Sequence, residues 1–548
     1  LPEGKEAVFQ YFTGEIFGRA RPDNQRVLML AALLPSVSAA DAEAMSGNPE
    51  AALVLDYVFR RHLFTDRRRI GSEPVYQFHG LFREFLLAEG RRRLSREERQ
   101  AALDRAAGQL VARGDFDAAA ALYIEAKAWP ALVGLTLHAG RSLLAEGRRR
   151  ALVNWLAAMP AAVREAEPRL ALGEAYAVMH EEPARAKALL ARAFEGFTAN
   201  GDVRRQLLTA AAAVDCHYFE WADFAPLDRW IAVFLRLLAP GPERMETADG
   251  LRIHGALLIA LLFRQPDNPR MGDAARQVEA LLAAPDIETV PVNDRVNAAS
   301  ILFNYYNWKT KGGNADALVA RVEPWLDEPE VSAVHRVWWH VHRAFNEQIR
   351  GHYARSRRIM KDTEAFAAAH GLTWVQVEIY HAEVTALVSS EDVDGAAAAL
   401  AKLKAVLNPS RRMDLAYFHY QEAGVLLLQD RARAAADAAA KAVEVGRASG
   451  LPAMQIPHFL VRQALTVVRT GEIAHALALY REAIALATGS DRRNFEFHEQ
   501  LLEAHVALAA GDAPRARATL ASLLAACRDS GYYGFLRLPD GVLAPVLA

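Results

Sequence analysis

Cysteine is nearly absent. Cys216 and Cys527 are the two in 548 residues, too few for a disulfide framework or an all-cysteine zinc site. Charge of one sign is lacking as well. Lys+Arg 64 against Asp+Glu 66 leaves a formal net charge of −2, so the molecule as a whole attracts neither nucleic acid nor anionic lipid. No apolar run reaches the ~18–20 residues of a membrane helix; Val27–Leu34 and Ile231–Leu238 fall well short. No basic, apolar and small-residue sequence of a secretory signal opens the chain. A reduced, cytoplasmic protein with no membrane contact is expected. Disorder is excluded for most of the chain, because hydrophobic residues at 52% and charged residues at 24% are ordinary globular usage. The length exceeds the ~150 residues of a typical single domain several-fold. The chain opens on Leu1 and ends on Val546-Leu547-Ala548 without a polar tail, and a piece of a longer polypeptide is expected.

The signatures of catalysis are also missing. There is no Gly-x-x-x-x-Gly-Lys-Ser/Thr loop to cradle phosphates and no Gly-x-Ser-x-Gly nucleophile elbow. His498-Glu499 followed by His505 misses the His-Glu-x-x-His spacing of metallohydrolases. His335, His340, His342 and His352 lie 5, 2 and 10 residues apart, which places them poorly for convergence on a metal from one helix. No enzyme activity, catalytic residue, metal or cofactor is therefore assigned to this chain.

Helical periodicity is present from end to end. Leu152, Trp155, Leu156 and Met159 form one apolar stripe that stops at Pro160. Gly114-Asp115, Gly201-Asp202, Gly471-Glu472 and Gly511-Asp512 combine a helix-ending glycine with a fresh acidic cap. The distance from Gly471 to Gly511 is 40 residues, and stepping back by 40 reaches Arg431, Glu391 and Gly351. The stripe Ala476, Leu479, Tyr480, Ala483, Ile484 and Ala487 recurs as Ala516, Thr519, Leu520, Leu523, Leu524 and Cys527. Ala186, Leu189, Leu190, Ala193, Phe194 and Phe197 repeat it once more. Two helices per unit at such a period predict a stacked α-solenoid. Between Pro240 and Asn293, Pro266, Pro269, Pro285 and Pro291 interrupt the register.

The partner helices align on a column of mostly small residues, Ala344, Val384, Gly424, Ala464 and Ala504. This resembles the small position on the first helix of a tetratricopeptide repeat, although that family's period is ~34. The resemblance implies a right-handed superhelix whose inner face carries the residues six and three positions earlier. Those columns read Trp338, Glu378, Phe418, His458, His498 and Val341, His381, Gln421, Val461, Leu501. Trp338, Glu378, His381, Phe418, Gln421, His458 and His498 are the candidate ligand-binding residues. Stacking faces beside charged and hydrogen-bonding tips suit a small polar inducer or an extended peptide.

The N-terminal segment follows another pattern. Helices are predicted at Glu6–Gly18, Gln25–Leu34, Ala39–Met45, Glu50–Arg61 and Leu81–Arg92, with a hairpin made of His62–Asp66, a polar turn Arg67–Glu73 and Val75–Phe78. Helices closed by a hairpin make a winged helix. The string Phe78-His79-Gly80-Leu81-Phe82-Arg83-Glu84-Phe85-Leu86 resembles that module in the MalT-type (LuxR-family) regulators, which belong to the signal-transducing NTPases with numerous domains (STAND). Val8-Phe9-Gln10-Tyr11-Phe12 resembles the exit from their ATPase module, and Asn154-Trp155-Leu156, Met159-Pro160 and Glu167-Pro168-Arg169-Leu170 resemble their following segment.

The resemblance implies an all-α chain apart from one short hairpin. A winged-helix module would span 1–95, a helical linker with first repeats 96–200, and a superhelical sensor 201–548. It also implies ATP only in an upstream module, an inducer or protein partner for the sensor, and oligomerisation of the full-length protein. Arg60–Arg99 holds 11 arginines against 6 acids; it reads as a solvated face or a surface for that absent module, without sequence-specific DNA binding. The alternative is a peptide-binding scaffold with no switching and no transcriptional output.

Overall fold

The computed structural model describes residues 9, 11–70, 73–239, 245–310, 315–408, 411–487 and 489–530. The chain divides into two compact units, Leu1–Gly196 and Phe197–Ala548.

In the first unit a π-helical turn Phe12–Phe17 precedes α1 (Pro22–Ala31), β1 (Val37–Ser38), α2 (Ala39–Ser46), α3 (Ala51–Arg60), β2 (Thr65–Ile70), β3 (Glu73–Phe78) and α4 (Gly80–Arg93). The strands form an antiparallel sheet in the order β1-β3-β2, with Val37 opposite Tyr76 and Thr65 opposite Phe78. This is the expected winged helix, with one correction. Arg67, Arg68 and Arg69, expected in a polar turn, continue β2 opposite Tyr76, Val75 and Pro74. Backbone pairing with β3 outweighs a side-chain composition that reads as loop. Of the expected first helix, residues 6–8 and Gln10 lie outside the described residues.

The family-like string owes its pattern to packing. Phe78, Phe82, Phe85 and Leu86 are buried, with Phe12 5.2 Å from Phe82 and Phe17 5.6 Å from Phe85 in edge-to-face contact. Arg83 Nε donates to the Ala32 carbonyl at 2.8 Å and a terminal nitrogen to that of Leu33 at 3.2 Å. A cation thereby caps the negative end of α1. His79 donates its backbone N–H to the Phe64 carbonyl and starts α4.

The run Gly90–Ser95, where the winged-helix module is expected to end, is the end of α4 followed by a cap. The Ser95 hydroxyl accepts from the Glu98 N–H, and the Glu98 carboxylate accepts from the Ser95 N–H at 2.9 Å, opening α5 (Arg96–Ala112). Then come α6 (Phe116–Ala126), α7 (Trp129–Ala145), α8 (Arg149–Ala158), α9 (Ala161–Glu165), α10 (Pro168–Val178) and α11 (Pro183–Ala199). The division of the chain into units falls within α11, between Gly196 and Phe197. A Cβ on Gly196 would collide with the Pro168 ring, so α10 and α11 approach as closely as a glycine permits.

The second unit is a solenoid of helix pairs. Its first helices are α12 (Val203–Glu220), α14 (Thr247–Arg264), α16 (Val292–Tyr305), α18 (Ala333–Ile349), α20 (Gln376–Ser389), α22 (Arg412–Leu428), α24 (Ile456–Arg469) and α26 (Gly489–Ala509). The corresponding second helices are α13 (Leu227–Leu238), α15 (Arg270–Leu282), α17 (Ala315–Leu326), α19 (Tyr353–Ala369), α21 (Val393–Val406), α23 (Ala432–Ala448), α25 (Ile473–Leu486) and α27 (Ala513–Ser530).

From α18 onward each pair turns on a left-handed residue: Gly351 (φ 81), Glu391 (φ 57), Asp430 (φ 57), Gly471 (φ 84) and Gly511 (φ 79). In each joint the next residue's N–H returns to a carbonyl five back, as from Asp512 to Ala507 at 2.9 Å, the signature of a Schellman cap. The joint expected at Arg431 falls one residue earlier, at Asp430, in a three-residue connection of the same length as its neighbours.

The small column is buried throughout, and Ala344, Val384, Ala464 and Ala504 are fully so. A Cβ on Gly424 would stand 2.7 Å from an Arg462 guanidinium nitrogen and 3.3 Å from Val388 Cγ1. Most of the second-helix stripe is likewise interior, with Ala476, Leu479, Tyr480, Ala483 and Leu523 buried; Leu524 departs from it at 42% exposure. The Cys527 side chain lies outside the described residues.

Candidate functional site

The seven candidate residues do not form one open wall. Trp338, Phe418, Gln421 and His498 are buried, while Glu378, His381 and His458 are half-buried. They also fall into separate neighbourhoods. His498 faces the second-helix residue Tyr480 at 5.8 Å, and His458 lies between Trp308 at 5.4 Å and Phe495 at 5.2 Å. Phe418 touches His419 on its own helix. Trp338, His381 and Gln421 are linked in one cluster through Trp221 and Tyr417, and Glu378 lies close enough to shift the titration of Tyr417.

The end of α12 fills that cluster. Tyr218 lies 5.4 Å from Trp338, and Trp221 lies 6.2 Å from Trp338 and 6.4 Å from Tyr417. Trp221 adopts φ 51, ψ 42, a left-handed conformation that is strained for a bulky side chain. The following residues continue inward: a Cβ on Gly450 would collide with Asp223 Oδ1 and stand 3.4 Å from the Phe224 nitrogen. The chain's own aromatic wedge thus occupies part of the face expected to receive a ligand.

Polar groups surround the wedge. The Tyr218 hydroxyl and His342 Nε2 are 3.1 Å apart. Burial pushes the His342 pKa down to about 4 and that of Tyr218 well up, so at neutral pH a neutral imidazole nitrogen accepts the phenol proton. Burial likewise lowers His381 to about 4, with Arg462 adding to the effect. Gln421 Nε2 donates to Thr385 Oγ1 at 2.6 Å and to the His381 carbonyl at 3.2 Å. Tyr417 stands edge-on to His381 at 4.8 Å, and its hydroxyl donates to Gln455 Oε1.

Three carboxylates shift the other way. Burial raises Glu378 to about 7, reinforced by the Asp414 charge and opposed by Arg411. Asp414 rises to about 6 by burial although Arg411 Nε lies 3.1 Å from it. Asp215 rises to about 7 by burial, with Arg252 opposing and Asp294 adding to the shift. Among the described residues, Gln421 Oε1 and Trp221 Nε1 are buried without a hydrogen bond. Such an arrangement can offer both donors and acceptors in a site with little water, and it can exchange protons near neutrality.

Sequence reasoning missed Asp215, Tyr218 and Trp221. One signal was available. From Gln206 to Tyr218 every residue of α12 is buried except Leu208 and Asp215, which are half-buried, and the stretch is apolar on most sides, as a helix packed on all faces must be. The histidines around Trp338 go separate ways, His335 to Ser332 and His352 to Glu347. Among the described residues no group of three or more His, Cys, Asp or Glu is placed to hold a metal ion.

Among the described residues, six of the 11 arginines of Arg60–Arg99 are in ion pairs. Asp56 holds Arg60 and Arg67, Glu89 holds Arg92 and Arg93, and Glu125 holds Arg91 and Arg99. Residues 13–98 match the family model of the MalT winged helix domain. The N-terminal unit carries a MalT-type winged helix.

Beyond that module, similarity to solved structures is low. Human IFIT1 in a dimer with PPP-AAAA is 14% identical with a TM-score of 0.39, covering 72% of this chain and 91% of that one. A STAND protein with a tetratricopeptide repeat sensor from Pyrococcus horikoshii is 12% identical with a TM-score of 0.28, covering 94% and 64%. Yeast Tom70 is 13% identical with a TM-score of 0.26, covering 75% and 96%. No curated protein matches the chain. Among the described residues no helix is long and apolar enough to cross a membrane.

Proposed function

We propose that this chain is the signal-sensing and regulatory part of a MalT-like STAND transcriptional regulator that works in the cytoplasm. The observation that carries the reading is a MalT-type winged helix in the same chain as a solenoid whose interior holds polar, partly unsatisfied groups around an aromatic wedge. The chain itself catalyses nothing on this reading. ATP binds an upstream module, and DNA is read by a separate output domain.

The mechanism is a population shift. With Trp221 seated between Trp338 and Tyr417 the interior is closed. An inducer that hydrogen-bonds Glu378, His381 and Gln421 binds the form in which the wedge has withdrawn, and only this difference in affinity moves the equilibrium. The strain at Trp221 lowers the energy gap between the two forms. Enclosure favours a compact polar ligand over an extended peptide, which needs an open groove.

Reading the open reading frame on both sides of the segment tests the proposal. A phosphate-binding loop upstream and a DNA-binding domain downstream are expected. A start codon directly before Leu1 overturns the regulator reading and leaves a scaffold.

A further inference from the structure

A cavity of about 610 Å³ lies between α13, α14 and α15, and none of its lining residues belongs to the interior cluster. Its floor is apolar. Leu257 and Ala274 are buried, and Leu235 and Leu238 remain half-buried there, whereas Leu227, Trp230, Ile231, Val233 and Phe234 of α13 are packed away. Ala274 sits among Arg270, Asp273 and Gln277 on one face of α15, and its small side chain leaves the space open.

The rim carries unbalanced charge. Asp273 serves both Arg270, at 3.9 Å, and Arg276. Two guanidinium groups share one carboxylate, so among the described lining residues the mouth holds one positive charge in excess. Within the cavity His254 contributes an imidazole that burial keeps neutral, and its buried Nδ1 makes no hydrogen bond among the described residues. An apolar floor, a hydrogen-bonding nitrogen and a cationic mouth in a volume of several hundred Å³ match the general form of a small-molecule site.

We infer that this cavity binds an amphipathic monocarboxylate, with its hydrocarbon or aromatic body on Leu235, Leu238 and Leu257 and its carboxylate at Arg270 and Arg276. Guanidinium is the side chain best shaped for a carboxylate. Occupancy here does not depend on the interior being a sensor, so the two readings fail separately.

The test titrates the 548-residue chain with dodecanoate below its micellar concentration, by isothermal calorimetry. Dodecyltrimethylammonium, with the same tail and opposite charge, is the control. Saturable one-to-one binding of dodecanoate is expected, with the ammonium compound at least tenfold weaker. Arg270→Glu/Arg276→Glu weakens dodecanoate at least tenfold, and Leu238→Asp does the same from the apolar side. Leu238 and both arginines are not fully buried, so melting temperatures close to the parent's are expected. Should the reversal variant unfold, Arg270→Gln/Arg276→Gln replaces it. Non-saturating uptake, equal binding of the ammonium compound, or affinity unchanged in both variants overturns the proposal.

Discussion

Around Phe12, Phe82 and Phe85 of the winged helix the nearest rings are other phenylalanines. Around Trp221, Trp338 and Tyr417 of the solenoid Tyr218, His342 and His381 join the phenylalanines Phe224, Phe263 and Phe459, with the carboxylates of Glu378 and Asp414 close enough to shift the titration of Tyr417. Both clusters are interior and both are aromatic. The first is built of phenylalanines, with the one phenol in ring contact with Phe12, Tyr11, on the exposed side, and it serves as a core. The second keeps groups that are costly to bury, at the turn where the backbone is strained. The difference separates a cluster that holds a fold together from one suited to exchange its contents.

The largest expected effect is on the first cluster. Phe82→Ala removes a fully buried ring, and a loss of about 3–5 kcal/mol is expected for the winged helix. Urea denaturation followed by circular dichroism measures it. The penalty should be the same at pH 5 and pH 8; a pH-dependent penalty would blur the distinction between the clusters.

In the second cluster the wedge provides a sharper comparison. Trp221→Ala loses buried ring area, and a destabilisation of about 3 kcal/mol is expected. Trp221→Gly loses slightly more area but relieves the left-handed strain, worth about 1 kcal/mol, so glycine should be the milder substitution. Trp338 emission should shift to the red in both. If alanine proves milder than glycine, the strain at Trp221 is not a feature of the resting state.

The pH dependence has opposing parts. Glu378, Asp414 and Asp215 have folded pKa values raised to about 7, 6 and 7. Their stabilisation is full below the ordinary carboxylate value near 4 and is lost as pH rises through 6–7. His342 and His381, lowered to about 4, stabilise above about 6.5, and that contribution is lost as pH falls through 4. Between these limits three groups pull against two. Glu378→Gln removes one carboxylate, and the variant should exceed the parent's stability by about 1–2 kcal/mol at pH 8 while matching it at pH 4. Equal stability difference at both pH values would remove Glu378 from the set.

Much of this organisation was legible from local pattern. Gly351, Gly471 and Gly511 mark their joints because a left-handed cap favours glycine, and the stripe Ala476–Ala483 marks the buried face of its helix. What local pattern could not carry was the occupant of the interior. Tyr218 meets His342 across 124 residues, and no period links α12 to α18. The arginines of β2 misled for a related reason: their pairing with β3 is set by the register of the other strand. The column of candidates was readable as a column, but its division among separate neighbourhoods depends on ring contacts that spacing does not encode.

The smallest effect is at the joints themselves, where the regular part of the solenoid can be compared with itself. Gly471 and Gly511 hold the left-handed position without a Cβ, whereas Glu391 and Asp430 hold it with one, at φ 57 in both. The surrounding hydrogen bonds are equivalent, with Asp392 N–H to the Leu387 carbonyl at 3.0 Å and Arg431 N–H to that of Leu426 at 3.0 Å. Nothing lies within 4 Å of a Cβ placed on Gly471, so conformational strain is the main term in a substitution there. Gly471→Ala should therefore cost about 1 kcal/mol, and Glu391→Gly should return a similar amount less the added freedom of the unfolded chain, a net gain of about 0.5 kcal/mol. Paired urea midpoints of the two variants measure both. Opposite signs are required, because the two substitutions exchange the same Cβ at equivalent turns.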